Sequence, residues 1–366
     1  ASNNTAVGQS ALKFNTTGAN NTATGYSALA ANTTGSRNNA SGFDSLLSNT
    51  TGTQNSAFGA YSLYSNTTGG YNTSVGDASL YNNTTADNNT AVGFVALAAN
   101  TTGSENTAVG KSALDANTTG ASNTAIGYQA LVSNTTASNN VAIGASALQS
   151  NTTGVNNSAV GMQSLDECTT GSYNHCQGDN SLTALTTAIA NTAMGHYTGS
   201  SITTGDSNTC IGHNAGRVNY SPFVPTTHSN RLVMGSTGVT NAYIQVAWTV
   251  TSDQRDKTDI TNFTHGLDYI NGLRPVNYVW DNRSNYADGV SDGSKKKDLP
   301  QLGFLAQEIE AVETSLGITN NCVVDKEDVD NLKITETKLI PILVNAIQEL
   351  STQNAALEAR LTALEA

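Results

Sequence analysis

Two side chains stand out for the chemistry they could do together: the hydroxyl of Ser252 and the amine of Lys257, in Thr251-Ser-Asp-Gln-Arg-Asp-Lys257. A serine hydroxyl attacks a carbonyl only when a base takes its proton, and a lysine withdrawn from water can be that base. The short spacing lets a turn, or the first turn of a helix, bring the two together. On its own the pair is equally an N-cap or a turn, with Asp253 and Arg255 serving as cap and ion pair. His196 and His213 hold equivalent places in a repeat, His175 precedes Cys176, and Cys210 lies near His213. Metal ligands come in larger sets at defined spacing, so no metal and no cofactor is expected here. The cysteines (Cys168, Cys176, Cys210, Cys322) form neither a disulfide framework nor a C-x-x-C site. The repeat is nearly free of Asp and Glu, and offers no carboxylate pair suited to glycoside hydrolysis.

The rest of the chain must position that pair. Of its 366 residues 12% are charged, about half the usual share of roughly 25%. Its net charge of −12 argues against nucleic acid or an anionic membrane as partner, because both need basic patches. No apolar run approaches the ~18 residues of a membrane span. The chain begins at Ala1 without Met, which reads as a fragment or a processed product.

Residues 1–216 are a repeat. Glycine recurs every 17 residues from Gly8 to Gly212, thirteen times without an insertion. Asn stands four residues before each one, and Leu four after it from Leu12 to Leu182. Gly199 and Gly216 replace Leu in the last two copies. The unit reads N-T-A-V-G-x-x-A-L-x-x-N-T-T-G-x-x. A period without insertions means that each unit forms one coil of a stack. Gly, Asn and paired Thr disfavour helix, so T-A-V and x-A-L are expected as short strands and N-T-T-G as a turn. The position two before the glycine holds only Ala, Ser or Cys, the mark of a crowded interior. The recurring Asn and Thr should stack as hydrogen-bonded ladders. Tyr26, Phe43, Phe94 and Tyr128 follow their glycines and should point outward, as a platform for sugar rings or as surface stabilisation. With one Leu per coil as its large apolar residue, a single chain should have a thin core that three chains on one axis would thicken.

Residues 217–251 form a β connector, with Arg231–Gly235 and Ala242–Val250 expected as a hairpin or an interlocked sheet. Residues 252–337 have an ordinary mixed composition. In 338–366 Ile340, Leu343, Ile347, Leu350, Asn354, Leu357, Leu361 and Leu364 alternate in steps of 3 and 4, the seam of a coiled coil.

Four blocks carry a resemblance: Ser252–Ile260, Leu273–Tyr278 with Trp280, Leu302–Glu308 and Ala346–Leu350. Together they resemble the intramolecular chaperone (peptidase S74) domain of phage tail fibres and tailspikes, while the repeat resembles trimeric autotransporter adhesin heads. The fold expected is mainly β: a 17-residue-repeat parallel β-roll or β-solenoid rod, trimeric, then an α+β chaperone domain ending in a trimeric coiled coil. The resemblance implies a homotrimeric tail fibre that binds a host cell-surface glycan or protein, joined to the virion tail by a part preceding Ala1. It implies cleavage between Thr251 and Ser252 in a single self-processing turnover, with Ser252 as nucleophile and Lys257 as base, and no activity on other substrates. A bacterial trimeric surface adhesin and a polysaccharide-degrading tailspike are the alternatives.

Overall fold

A computed structural model describes residues 2–365 apart from 222, 240, 241, 244, 246–249, 284, 285, 287, 288, 320, 321 and 328–330. The chain divides into two units, Ala1–Ala242 and Tyr243–Ala366.

The first unit is a parallel β-solenoid of about 12 turns. Its strands run from β1 (Thr5–Val7) through β13 (Thr209–Ile211) to β14 (Leu232–Met234), each paired in order with the next. From β1 to β13 every residue lies opposite the one 17 positions on, as Ala108 lies opposite Ala125. From β2 onward the middle residue of each strand is buried and its neighbours face outward, which explains the restriction to Ala, Ser and Cys.

Only T-A-V forms a strand; the expected second strand at x-A-L is a turn instead. The reason is backbone conformation. In each coil the second and fourth residues after the glycine have positive φ, as does the residue before the first Asn; Ser112, Leu114 and Ser122 have φ of 56°, 52° and 58°. A left-handed non-glycine residue costs roughly 1–2 kcal/mol, so three per coil persist only because packing compensates. Each Leu from Leu29 to Leu182 turns inward at this bend and is fully buried, and Leu12 of the first coil is half-buried. Gly199 and Gly216 take the same left-handed conformation without a Cβ. Leu185 and Ile202, both fully buried, supply apolar volume to these last coils.

The core closes within one chain, contrary to the expected thin core. Two buried asparagines per coil fill what Leu and Ala leave. In one ladder Asn4 Oδ1 accepts the Asn21 backbone N–H at 2.8 Å, and Asn21 Nδ2 donates to the Gly35 carbonyl at 2.9 Å. In the other, Asn32 Nδ2 donates to Asn15 Oδ1 at 2.8 Å. Thr hydroxyls form a third ladder, as Thr101 Oγ1 donates to the Thr118 carbonyl at 3.0 Å. The second asparagine ladder stops where Cys168 takes its place, leaving Asn151 Oδ1 buried without a partner.

Arg231–Gly235 joins the solenoid on its described side. Leu232 lies opposite Thr209, so β14 continues the parallel stack after a longer coil. Val233 occupies the small interior position, and the Arg231 N–H takes Asn208 Oδ1 at 3.0 Å. Most of Ala242–Val250, the expected second strand, lies outside the described residues.

In the second unit, α1 (Leu267–Gly272) packs with both α2 (Ala306–Ser315) and α3 (Leu339–Glu365). Two short antiparallel pairs accompany them: β15 (Val276–Tyr278) with β16 (Gln301–Gly303), and β17 (Val324–Asp325) with β18 (Lys333–Ile334). Tyr269, Ile309, Val323, Val324 and Ile342 form the core.

The glycine that opens each bend has no substitute. Gly110 has φ +137°, and a Cβ there would stand 2.4 Å from the Gly127 carbonyl oxygen. Gly110→Ala should cost about 3 kcal/mol or more, read as a lowered melting temperature. Gly35→Ala should cost far less, because Ala86, Ala137 and Ala188 hold the equivalent position in other coils.

Candidate functional site

The second unit brings Ser252 and Lys257 together. A single 3₁₀ turn, Gln254–Asp256, folds the chain between them. Asp253 caps it by accepting the Arg255 N–H at 2.9 Å and pairs with the Arg255 guanidinium at 2.6 Å. Those hydrogen bonds hold the Asp253 carboxyl below its ordinary range and raise Arg255. The turn places Lys257 Nζ 2.5 Å from Ser252 Oγ and 3.5 Å from the Ser252 carbonyl oxygen. The amine thus touches the hydroxyl that would have to lose a proton. Thr251, Ser252 and Lys257 are all exposed in the single chain.

Elsewhere in the unit, hydrogen bonds, an ion pair and a ring contact tie its elements together. Glu349 of α3 accepts the Leu267 N–H at the start of α1 at 2.8 Å, a favourable place for a negative charge. Asn345 Nδ2 donates to the Phe263 carbonyl at 2.6 Å. Arg274 and Glu308 form an ion pair. Tyr278 meets Trp280 edge-on at 5.5 Å between ring centroids.

The residue that sequence reading missed is Glu313, fully buried in α2. Its Oε1 accepts from the Tyr269 hydroxyl at 3.0 Å, the Val323 N–H at 2.7 Å and the Val324 N–H at 3.4 Å. Burial, together with the hydrogen bond to and charge of Glu313, raises the Tyr269 hydroxyl well above its ordinary range. One signal was available: Glu313 follows the buried Ile309 by four residues, so both lie on the same helical face.

The other candidates lie on the first unit or away from the pair. His196 and His213 stack on the rod surface with centroids 5.5 Å apart. Among the described residues no three His, Cys, Asp or Glu side chains are grouped to hold a metal ion. Burial pushes Cys168 up to about 11, and Cys176 and Cys210 up to about 12, so these thiols stay protonated and unreactive. The outward aromatics are about half exposed and lie beside one another or beside a lysine. Tyr26 stacks on Phe43 at 5.2 Å, and Lys111 lies 6.0 Å from the ring centroids of both Phe94 and Tyr128. No described helix is long and apolar enough to cross a membrane.

Residues 252–318 match the peptidase S74 family, described as the chaperone of endosialidase. The match begins at Ser252 itself and takes in Leu273–Tyr278 and Leu302–Glu308. Such a segment behind a β-solenoid fits a tail fibre or tailspike-type protein with a C-terminal chaperone. No curated protein and no solved structure matches the chain.

Glu313→Ala orphans one hydroxyl and two backbone amides in the core. It should cost about 3 kcal/mol or more, at about 1–3 kcal/mol per orphaned group. Tyr269→Phe, which leaves the amides paired, should cost less than half of that. Denaturant titrations of an uncleaved background check both.

Proposed function

We propose that this chain is part of a homotrimeric phage tail fibre whose C-terminal module assembles three copies and then cuts itself away between Thr251 and Ser252. The observation that carries this reading is the contact between Ser252 Oγ and Lys257 Nζ at the first residue of the matched segment. In the reaction, neutral Lys257 takes the Ser252 hydroxyl proton. The oxygen attacks the Thr251 carbonyl carbon, the C–N bond breaks, and the proton passes to the released Ser252 nitrogen. Water then opens the resulting ester, leaving a Thr251 carboxylate and a free Ser252 hydroxyl. The products are 1–251 and 252–366.

Lysine acts as a base when withdrawn from water, yet Lys257 is exposed on the single chain. On this reading assembly withdraws it, which ties the cut to trimer formation. The seam of α3 supports assembly. Leu339, Ile342 and Ala346 pack inside the unit, whereas Ile347, Leu350, Leu357 and Leu361 are exposed at 64%, 45%, 59% and 57%. On this reading the helix has one face for its own domain and another for its copies. The released rod would present its surface to a host cell-surface glycan or protein.

Mass spectrometry of freshly expressed chain should find fragments ending at Thr251 and beginning at Ser252; intact chain alone would refute the cut. Ser252→Ala should abolish it, and Lys257→Ala should slow it about 10²-fold or more, the usual worth of a general base. Leu350→Glu with Leu357→Glu should give a monomeric mass by light scattering and uncut chain. A trimer from that variant would show that the seam does not assemble the copies.

A further inference from the structure

The outward side of a solvated sheet is normally polar. On this rod only one of its two outward rows is polar throughout most of the stack. The third strand residue points outward, and from Phe58 to Val160 it is apolar in every coil, β-branched in all but Phe58. Val75, Ile126 and Ile143 are exposed at 38%, 39% and 37%. The first strand residue also points outward and is mostly Thr or Ser. None of the Lys, Arg, Asp or Glu residues of 1–235 falls within a strand; they lie at the bends and connecting segments instead. One long face is thus free of formal carboxylate, ammonium or guanidinium charge on a chain of net charge −12.

We infer that this face is where rods of neighbouring copies pack on one another, the Val and Ile ladder of one against the same ladder of the next. The inference rests on the trimeric reading and gives it a surface. A second copy fits for reasons that a different partner would not satisfy. The ladder has the same rise in every copy, so each rung meets an equivalent rung. Chains joined in parallel through α3 run in the same direction, which sets like strands side by side. Like-charged chains repel, and a charge-free face is where that repulsion is least. The charge-free face of about 12 turns at ~4.8 Å, one short strand wide at ~10 Å, gives roughly 580 Å² per copy, of which the seven apolar rungs from Phe58 to Val160 supply about 340 Å². The whole face approaches the ~800 Å² each partner contributes to a standard interface, with the apolar rungs at its centre.

The test uses the full chain carrying Ser252→Ala, so that α3 stays attached. Val109→Cys or Ile126→Cys is added on the ladder, and Thr119→Cys, an exposed bend residue, serves as control. Light scattering gives the mass, and mild oxidation followed by denaturing electrophoresis reports disulfides between chains. The expected result is a trimer in which the ladder variants cross-link and the control does not. A trimer in which neither ladder variant cross-links, or in which the control cross-links equally, overturns the surface while leaving the trimer standing. A monomeric mass for the Ser252→Ala chain overturns the trimer and the surface together.

Discussion

Every coil of the rod must satisfy the backbone groups at its bends without water, and it does so with asparagine. The amide at one level accepts an N–H from the next level and donates across its own core, as Asn38 does to Asn55 and Gly52. A buried amide left without partners costs about 1–3 kcal/mol per group, so one mismatched level would strand donors and acceptors above and below. This constraint explains why the repeat accepts no insertion between β1 and β13. It also explains why the change in coil length before β14 preserves the contacts from Asn208 to Arg231 and to the His228 carbonyl.

The asparagines support the strained leucines in turn. A left-handed Leu in each coil is unfavourable as an isolated residue, and it holds only between ladders that fix the backbone on both sides. Packing and polar satisfaction are one system here. Where the second ladder gives way to Cys168, Leu185 and Ile202, the Leu series ends soon after at Gly199. Apolar volume has moved from the bend to the former amide position.

The period, the inward Ala and the Asn and Thr ladders were legible because a stack repeats each constraint at fixed spacing. The turn at x-A-L was not, since left-handed φ leaves no mark on a leucine; only Gly199 and Gly216 hinted at it. The closed core was not legible because only Leu was weighed as its filling, whereas Asn100 and Asn106 are fully buried beside it. β14 was hidden by the change in spacing, although Leu-Val-Met-Gly keeps the inward and glycine positions. Around the candidate site, the spacing of Ser252 and Lys257 allowed their contact but fitted an N-cap equally, and the pair stood out through the four-block resemblance. Glu313 was not, because its partners Tyr269 and Val323 are distant in sequence and meet only in the folded unit.

The uninterrupted spacing makes the rod a ruler. Seventeen residues return the chain to the same angular position one level higher, at ~4.8 Å per level. Gain or loss of a whole unit therefore changes reach in fixed small steps while the surface pattern on each side stays aligned. A recombination between two near-identical units, such as those at Gly93 and Gly110, would lengthen or shorten the shaft without a new fold to invent.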